Sequence, residues 1–203
     1  MKLSARTLIR DHTAATAAEF ALVLPVLLLF LLGMIDVGRY MWSINQLEKA
    51  TQIGARMAVV TDMVASDLSS YNFGLSLGQG AKIPTTAFGS MHCDKSTGAV
   101  TCTCDTNCSG IGTTADADAF NRIASRMMAI APSLSDKNIV ITYTNSGLGY
   151  AGDPNGPDVS PIVKVSTDNK VAFSPLVLFG ASTTLPTESA SLTLEDASGS
   201  TSN

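Results

Sequence analysis

Phe20-Ala21-Leu22-Val23-Leu24-Pro25-Val26-Leu27-Leu28-Leu29-Phe30-Leu31-Leu32-Gly33-Met34-Ile35 is the stretch on which the fold turns. Between Ala14 and Ile35 the only charged residue is Glu19. As a helix, the 21 residues from Ala15 to Ile35 rise about 1.5 Å each, roughly 30 Å in all, the thickness of a bilayer's hydrocarbon core. A helix buried in a protein core is the ordinary alternative for an apolar run. The length and the density of Leu favour the membrane here. Lys2, Arg6 and Arg10 precede the run, and Asp36, Arg39 and then mixed charge follow it. Positive flanks stay inside, so the amino end is expected in the cytoplasm and the bulk of the chain outside a bacterial inner membrane. A removable secretory signal shares the basic start and apolar core. Its cleavage site needs small residues, however, and Gly33-Met34-Ile35-Asp36 offers a bulky Ile.

Working outward, composition sets the bounds. The chain has 203 residues, 45% apolar and 15% charged, enough for one ordinary domain plus an extra segment and too apolar for disorder. Its net charge of −4 is uneven. Residues 1–14 hold Lys2, Arg6 and Arg10 against Asp11, a net of +2, which leaves −6 on the remainder. A basic amino end on an acidic body argues against nucleic acid as a partner and for a membrane orientation signal.

Within the span, Pro25 removes one helical hydrogen bond, which membrane helices tolerate. Gly33 and Gly38 are thin spots where helices can approach. Glu19 lies near the start of the run. An ionisable group there costs a few kcal/mol unless it sits at the headgroup level or finds a partner.

Ala17-Ala18-Glu19-Phe20-Ala21-Leu22-Val23-Leu24-Pro25 and the Leu-rich span after it resemble the TadE-like family, minor pilins or pseudopilins of tight-adherence (Flp-type) pilus systems. Gly38-Arg39, Asn45-Gln46-Leu47, Ala50 and Gly54-Ala55-Arg56-Met57-Ala58 extend the resemblance, so that its strong part covers residues 14–60. A weaker echo runs through Val163-Lys164-Val165, Phe173-Ser174-Pro175-Leu176 and Ser191-Leu192-Thr193-Leu194-Glu195. The resemblance implies processing by a prepilin peptidase on the cytoplasmic face, with Glu19 at the fifth mature position and aromatic Phe20 after it. The cut then falls between Ala14 and Ala15, with Ala14 standing where the usual pattern has Gly. The implied partners are membrane lipid, other pilin-like subunits, the peptidase and a pilus assembly platform. No cofactor and no metal are implied.

Beyond the span, apolar or small residues recur in steps of three and four at Val37, Met41, Ile44, Leu47, Ala50, Gly54, Met57, Val60, Val64 and Leu68, one face of a helix. One continuous rod from about Ala15 to Leu68 is expected, followed by a loop at Gly74, Gly78 and Gly80. Gly74-Leu75-Ser76-Leu77-Gly78 has the G-x-S-x-G form of a hydrolase elbow, but an elbow needs a strand before it and a helix after it. The chain has only two histidines, His12 and His92, and no catalytic constellation emerges, so the chain reads as a non-enzyme.

Cys93, Cys102, Cys104 and Cys108 cluster among Ser, Thr, Gly and Asp. An even count outside the cytoplasm reads as two disulfides. A Cys102–Cys104 bond is strained, which leaves 93–102 with 104–108, or 93–104 with 102–108. His92 and Asp105 make zinc the alternative, although the spacing lacks paired C-x-x-C arms.

Residues 116–131 read as a helix burying Phe120, Ile123, Ala124, Met127 and Ile130, started by Asp116 or Asp118 and closed by Pro132. Ile139, Ile141 and Tyr143 alternate as a strand. Residues 147–161 form a loop in which Asp153, Asn155 and Asp158 invite calcium, although Pro154 and Pro157 favour a plain turn. One or two strands follow around Asp168-Asn169, and Leu185 to Leu194 form a last strand.

The expected fold class is α+β and pilin-like: a long transmembrane helix continuing into a periplasmic helix packed on a small antiparallel sheet. The expected divisions are a basic cytoplasmic leader (1–14), a transmembrane helix (15–35), an extracytoplasmic pilin-like domain (36–195) and a disordered tail (196–203). The expected function is a minor pilin or pseudopilin. The alternative is a membrane-anchored extracytoplasmic binding module that does not polymerise. An adhesion domain with a D-x-S-x-S metal signature is not indicated, since Asp67-Leu68-Ser69-Ser70 does not fit it.

Overall fold

Leu and Ala are the commonest residues between 12 and 60, and both favour helix. In the computed structural model they form one uninterrupted helix, α1 (His12–Val60), which passes through Pro25. The structure describes residues 12–176, 182–195, 197 and 199, with side chains from residue 16 onward. Of the expected leader, residues 1–11 lie outside the described residues. Of the expected tail, only 197 and 199 lie within them.

The chain divides into two compact units. One comprises Met1–Met41 and Ser174–Thr183, the other Trp42–Phe173 and Thr184–Asn203. In the second unit, the carboxy-terminal part of α1 buries Leu47, Ala50, Thr51, Gly54, Ala55, Ala58 and Val59. This stripe is rotated from the expected one. Ile44, Met57 and Val60 are only half-buried, and Val37 and Met41 are exposed. The buried face consists mostly of small residues because the neighbouring elements come close. A Cβ added at Gly54 would lie 2.6 Å from Met127 Sδ and 3.2 Å from Val165 Cγ1.

The expected rod to Leu68 is corrected. The helix stops at Val60, where Val59, Val60 and Thr61 make a β-branched run of weaker helix formers. Tertiary partners then take over the backbone. The Val64 N–H donates to the Tyr143 hydroxyl at 2.9 Å, and the Ser66 N–H donates to the Thr114 carbonyl at 3.2 Å. Leu68 is buried, but in a separate helix, α2 (Ser66–Ser70). The expected glycine loop contains a single helical turn, α3 (Gly74–Leu77).

The sheet of the second unit has five strands in the order β2-β1-β3-β4-β7, all antiparallel. They are β1 (Ser90–Asp94), β2 (Thr101–Thr106), β3 (Ile139–Thr144), β4 (Ile162–Thr167) and β7 (Ser189–Thr193). The two-residue strands β5 (Ala172–Phe173) and β6 (Thr183–Thr184) lie outside it. Ile139, Ile141 and Tyr143 face inward with Val163 and Val165 beside them, the alternation that puts every second side chain on one face. Helix α4 (Ala117–Met128) buries Ala119, Phe120, Ile123, Ala124 and Met127. Its N-cap is Asp116, whose carboxylate accepts the N–H groups of Asp118 and Ala119 at 2.9 Å each, the usual remedy for unpaired first-turn donors. Ile130 falls beyond its last turn and is half-buried.

Tyr143 is wholly buried, and burial raises its phenol pKa above the ordinary value. The side chain therefore stays neutral and serves as a hydrogen-bonding strut at the end of α1. Where the tail is described, Gly199 is tied back: the Asp62 N–H donates to its carbonyl at 3.0 Å, and its own N–H donates to the Asp62 carboxylate at 2.9 Å.

Candidate membrane and assembly surface

The first unit inverts the usual arrangement of side chains. From Phe20 to Val37 its helix exposes nearly every large apolar residue, Leu22 at 74% and Phe30 at 68% among them. A water-soluble monomer rarely leaves so much apolar surface contiguous. The helix is long and apolar enough to cross a membrane, and only 6% of its most apolar window is buried. Gly33 opens a shallow groove lined by Leu29, Phe30, Met34 and Val37. Apart from its chain neighbours and the helix's own backbone, nothing among the described residues lies within 4 Å of where its Cβ would stand.

Glu19 and Phe20 lie side by side on this helix, both exposed. Ala14 and Ala15 lie in its first turn, with side chains outside the described residues. A helix carries neighbouring residues about 100° apart, so Glu19 and Phe20 point in different directions and can touch different neighbours.

Asp36 is a site residue whose partner sequence reasoning did not find, reading it as a flanking charge or a candidate helix cap. It is 8% exposed. The Leu176 N–H donates to both of its oxygens, at 2.8 and 2.7 Å. The Arg39 guanidinium reaches one of those oxygens at 3.2 Å and the Ser174 carbonyl at 3.5 Å. An acid three residues before an arginine hinted at the ion pair. Nothing local could have revealed a partner 140 residues away.

The cysteines belong to the second unit. Cys93 pairs with Cys102 across the β1–β2 register, and Cys104 pairs with Cys108 in the turn that follows β2. No thiolate is left for the zinc alternative. The His92 ring stands between two carboxylates, with Nδ1 2.7 Å from Asp105 and Nε2 3.6 Å from Asp94. Burial opposes ionisation of Asp94, but the Ser96 hydroxyl and N–H and the nearby His92 and Lys170 outweigh it and lower its pKa. No group of three or more His, Cys, Asp or Glu arranged to hold a metal ion occurs among the described residues.

The calcium candidates are engaged within their own loop. Asp158 is buried and accepts the N–H groups of Phe73 at 2.6 Å and Asp153 at 3.0 Å, while Asp153 accepts the Asn155 N–H at 2.9 Å. Ser76 sits in α3 and its hydroxyl donates to the Phe73 carbonyl at 3.2 Å. No strand leads into that turn, so the geometry of a nucleophile elbow is missing.

Comparison with known proteins finds one family model, described as TadE-like protein, matching residues 14–56, about a fifth of the chain. No curated protein and no solved structure matches. The matched segment coincides with the exposed apolar span and the first buried turns of α1. Over residues 14–56 this helix is similar to the TadE-like family.

Proposed function

We propose that the protein is a minor pilin or pseudopilin of a tight-adherence (Flp, type IV-like) pilus. It sits in the bacterial inner membrane with its amino end in the cytoplasm and its disulfide-bonded unit in the periplasm. It acts through its amino-terminal helix, by insertion and helix–helix assembly, and carries out no catalysis. The observation that carries this reading is the exposed apolar span of α1, similar to the TadE-like family, in which Glu19 is the only charge between Ala14 and Ile35.

Prepilin peptidase cuts between Ala14 and Ala15. The first turn of α1 must unwind for that, and helix ends fray readily. The cut removes the basic leader and creates an amine on Ala15. That amine pairs with Glu19 of an adjacent subunit, each satisfying a charge that lipid would penalise. Two unit charges about 4 Å apart attract by about 4 kcal/mol at an effective dielectric near 20. An assembly platform then gathers such subunits, and the finished fibre serves adhesion.

Glu19→Ala tests this directly. Pilus assembly should be lost while the protein remains in the membrane fraction. Assembly unaffected by Glu19→Ala sinks the pairing and favours the anchored module that does not polymerise. Intact mass of the membrane-extracted chain reports the cut, since a mature protein that still begins at Met1 or Lys2 rules processing out.

A further inference from the structure

Asp36 is the first residue after the apolar run, and its carboxylate grips a backbone N–H from the far end of the chain. Side chains on a helix lean toward its amino end. The carboxylate therefore reaches back from the end of the run toward the span. Leu176 is held against it through two contacts under 3 Å, so Leu176 lies at the outer edge of the hydrocarbon. An N–H that meets lipid unpaired costs several kcal/mol. Here Asp36 satisfies it. Pro175, the residue before, has no N–H to satisfy. The Leu176 side chain remains 45% exposed. Arg39 closes the clasp by pairing with Asp36, and arginines at the ends of membrane spans snorkel to the headgroup level.

We infer that Asp36 docks the Pro175–Leu176 turn onto the outer leaflet, giving the chain a second, monotopic contact with lipid beside its transmembrane helix. The contact rests on the membrane-spanning reading of α1. It serves the proposed function by fixing the depth and tilt of the span at its outer end. A helix of ample apolar length leaves tilt to such interfacial anchors.

Trp42 is the chain's single tryptophan, so Trp42→Phe gives a silent background for fluorescence. In that background, Leu176→Trp and, separately, Val26→Trp are placed in the full chain. Each is reconstituted in phosphatidylcholine/phosphatidylglycerol vesicles carrying brominated acyl chains. Both probes should be quenched by lipid, Val26→Trp most by bromines deep in the chain and Leu176→Trp most by shallow ones. Adding Asp36→Ala should abolish most of the quenching at position 176 and leave position 26 unchanged. If position 26 is quenched by lipid and position 176 only by aqueous iodide, the second contact is refuted and the anchor stands. Shielding of position 176 from both quenchers means that protein covers it, which also overturns the inference. Quenching at 176 that survives Asp36→Ala removes the clasp's role. Failure of both probes to sense lipid refutes the span itself.

Discussion

One helix serves two solvents. Between Phe20 and Ile35 its large apolar side chains are exposed, whereas between Leu47 and Val59 its inward face is sealed, Leu47 at 0% exposure. The backbone is the same throughout, so what changes is the size and arrangement of the side chains. The outer surface of the span is Leu, Val and Phe on all sides, as lipid permits. The buried half narrows its inward face to Ala50, Thr51, Gly54, Ala55 and Ala58. It thereby lets α4 and β4 approach until Met127 and Val165 fill the space of a missing Cβ at Gly54. Bulk faces the medium in the first half, and smallness faces the protein in the second.

That contrast breaks most dramatically if lipid is made hostile. Leu27→Arg combined with Leu28→Arg places two charges mid-span, at about 2.5–3.5 kcal/mol each on the insertion scale. The doubly substituted chain should leave the membrane fraction on cell fractionation, and its four cysteines, held back in the reducing cytoplasm, should remain thiols.

The same truncation made in each half gives the sharper comparison. Leu47→Ala removes a fully buried side chain and should cost about 2–5 kcal/mol, seen as a lower melting temperature of the detergent-solubilised protein. Leu27→Ala, identical chemistry on a face 48% exposed, should leave that transition where it is. Equal effects would mean that the two halves share one environment.

Tyr143→Phe probes the strut at the end of α1. It strands the Val64 N–H and should cost about 1–3 kcal/mol. Loss of amide-exchange protection is expected first around Val64 and Ala65.

The smallest expected effect is a pH dependence confined to the second unit. The Lys95 ammonium, 2.8 Å from Asp136, outweighs the opposing burial and holds that carboxyl below its ordinary value. A carboxylate whose folded pKa is depressed contributes stability above its unfolded pKa and loses it as pH falls through the folded one. Lys95→Gln should therefore lower stability slightly at neutral pH and not at all well below the carboxylate range. Denaturant midpoints at the two pH values, compared between parent and variant, measure it.

Much of this contrast was legible in the sequence, because periodicity is a local signal. The apolar span, the face of α4 from Phe120 to Met127 and the alternation of Ile139, Ile141 and Tyr143 each declare themselves within a dozen residues. The end of α1 was not legible. Val64 and Leu68 keep the helical spacing, yet the Tyr143 hydroxyl and the Thr114 carbonyl draw the backbone away. The β1–β2 hairpin was hidden because Thr, Cys and Asp alternate with little hydrophobic contrast. The choice between two disulfide pairings needed the strand register that sets Cys93 opposite Cys102. Of the candidate site, Glu19 and Phe20 stood out by motif. Asp36 did not, because its meaning depends on Leu176.

Everything functional rests on lipid being the solvent of residues 15–35. Alkaline carbonate extraction of membranes from cells making the full chain tests this most directly. The protein should stay in the pellet and be released only by detergent. Recovery in the carbonate supernatant as a soluble monomer would contradict the account at its root.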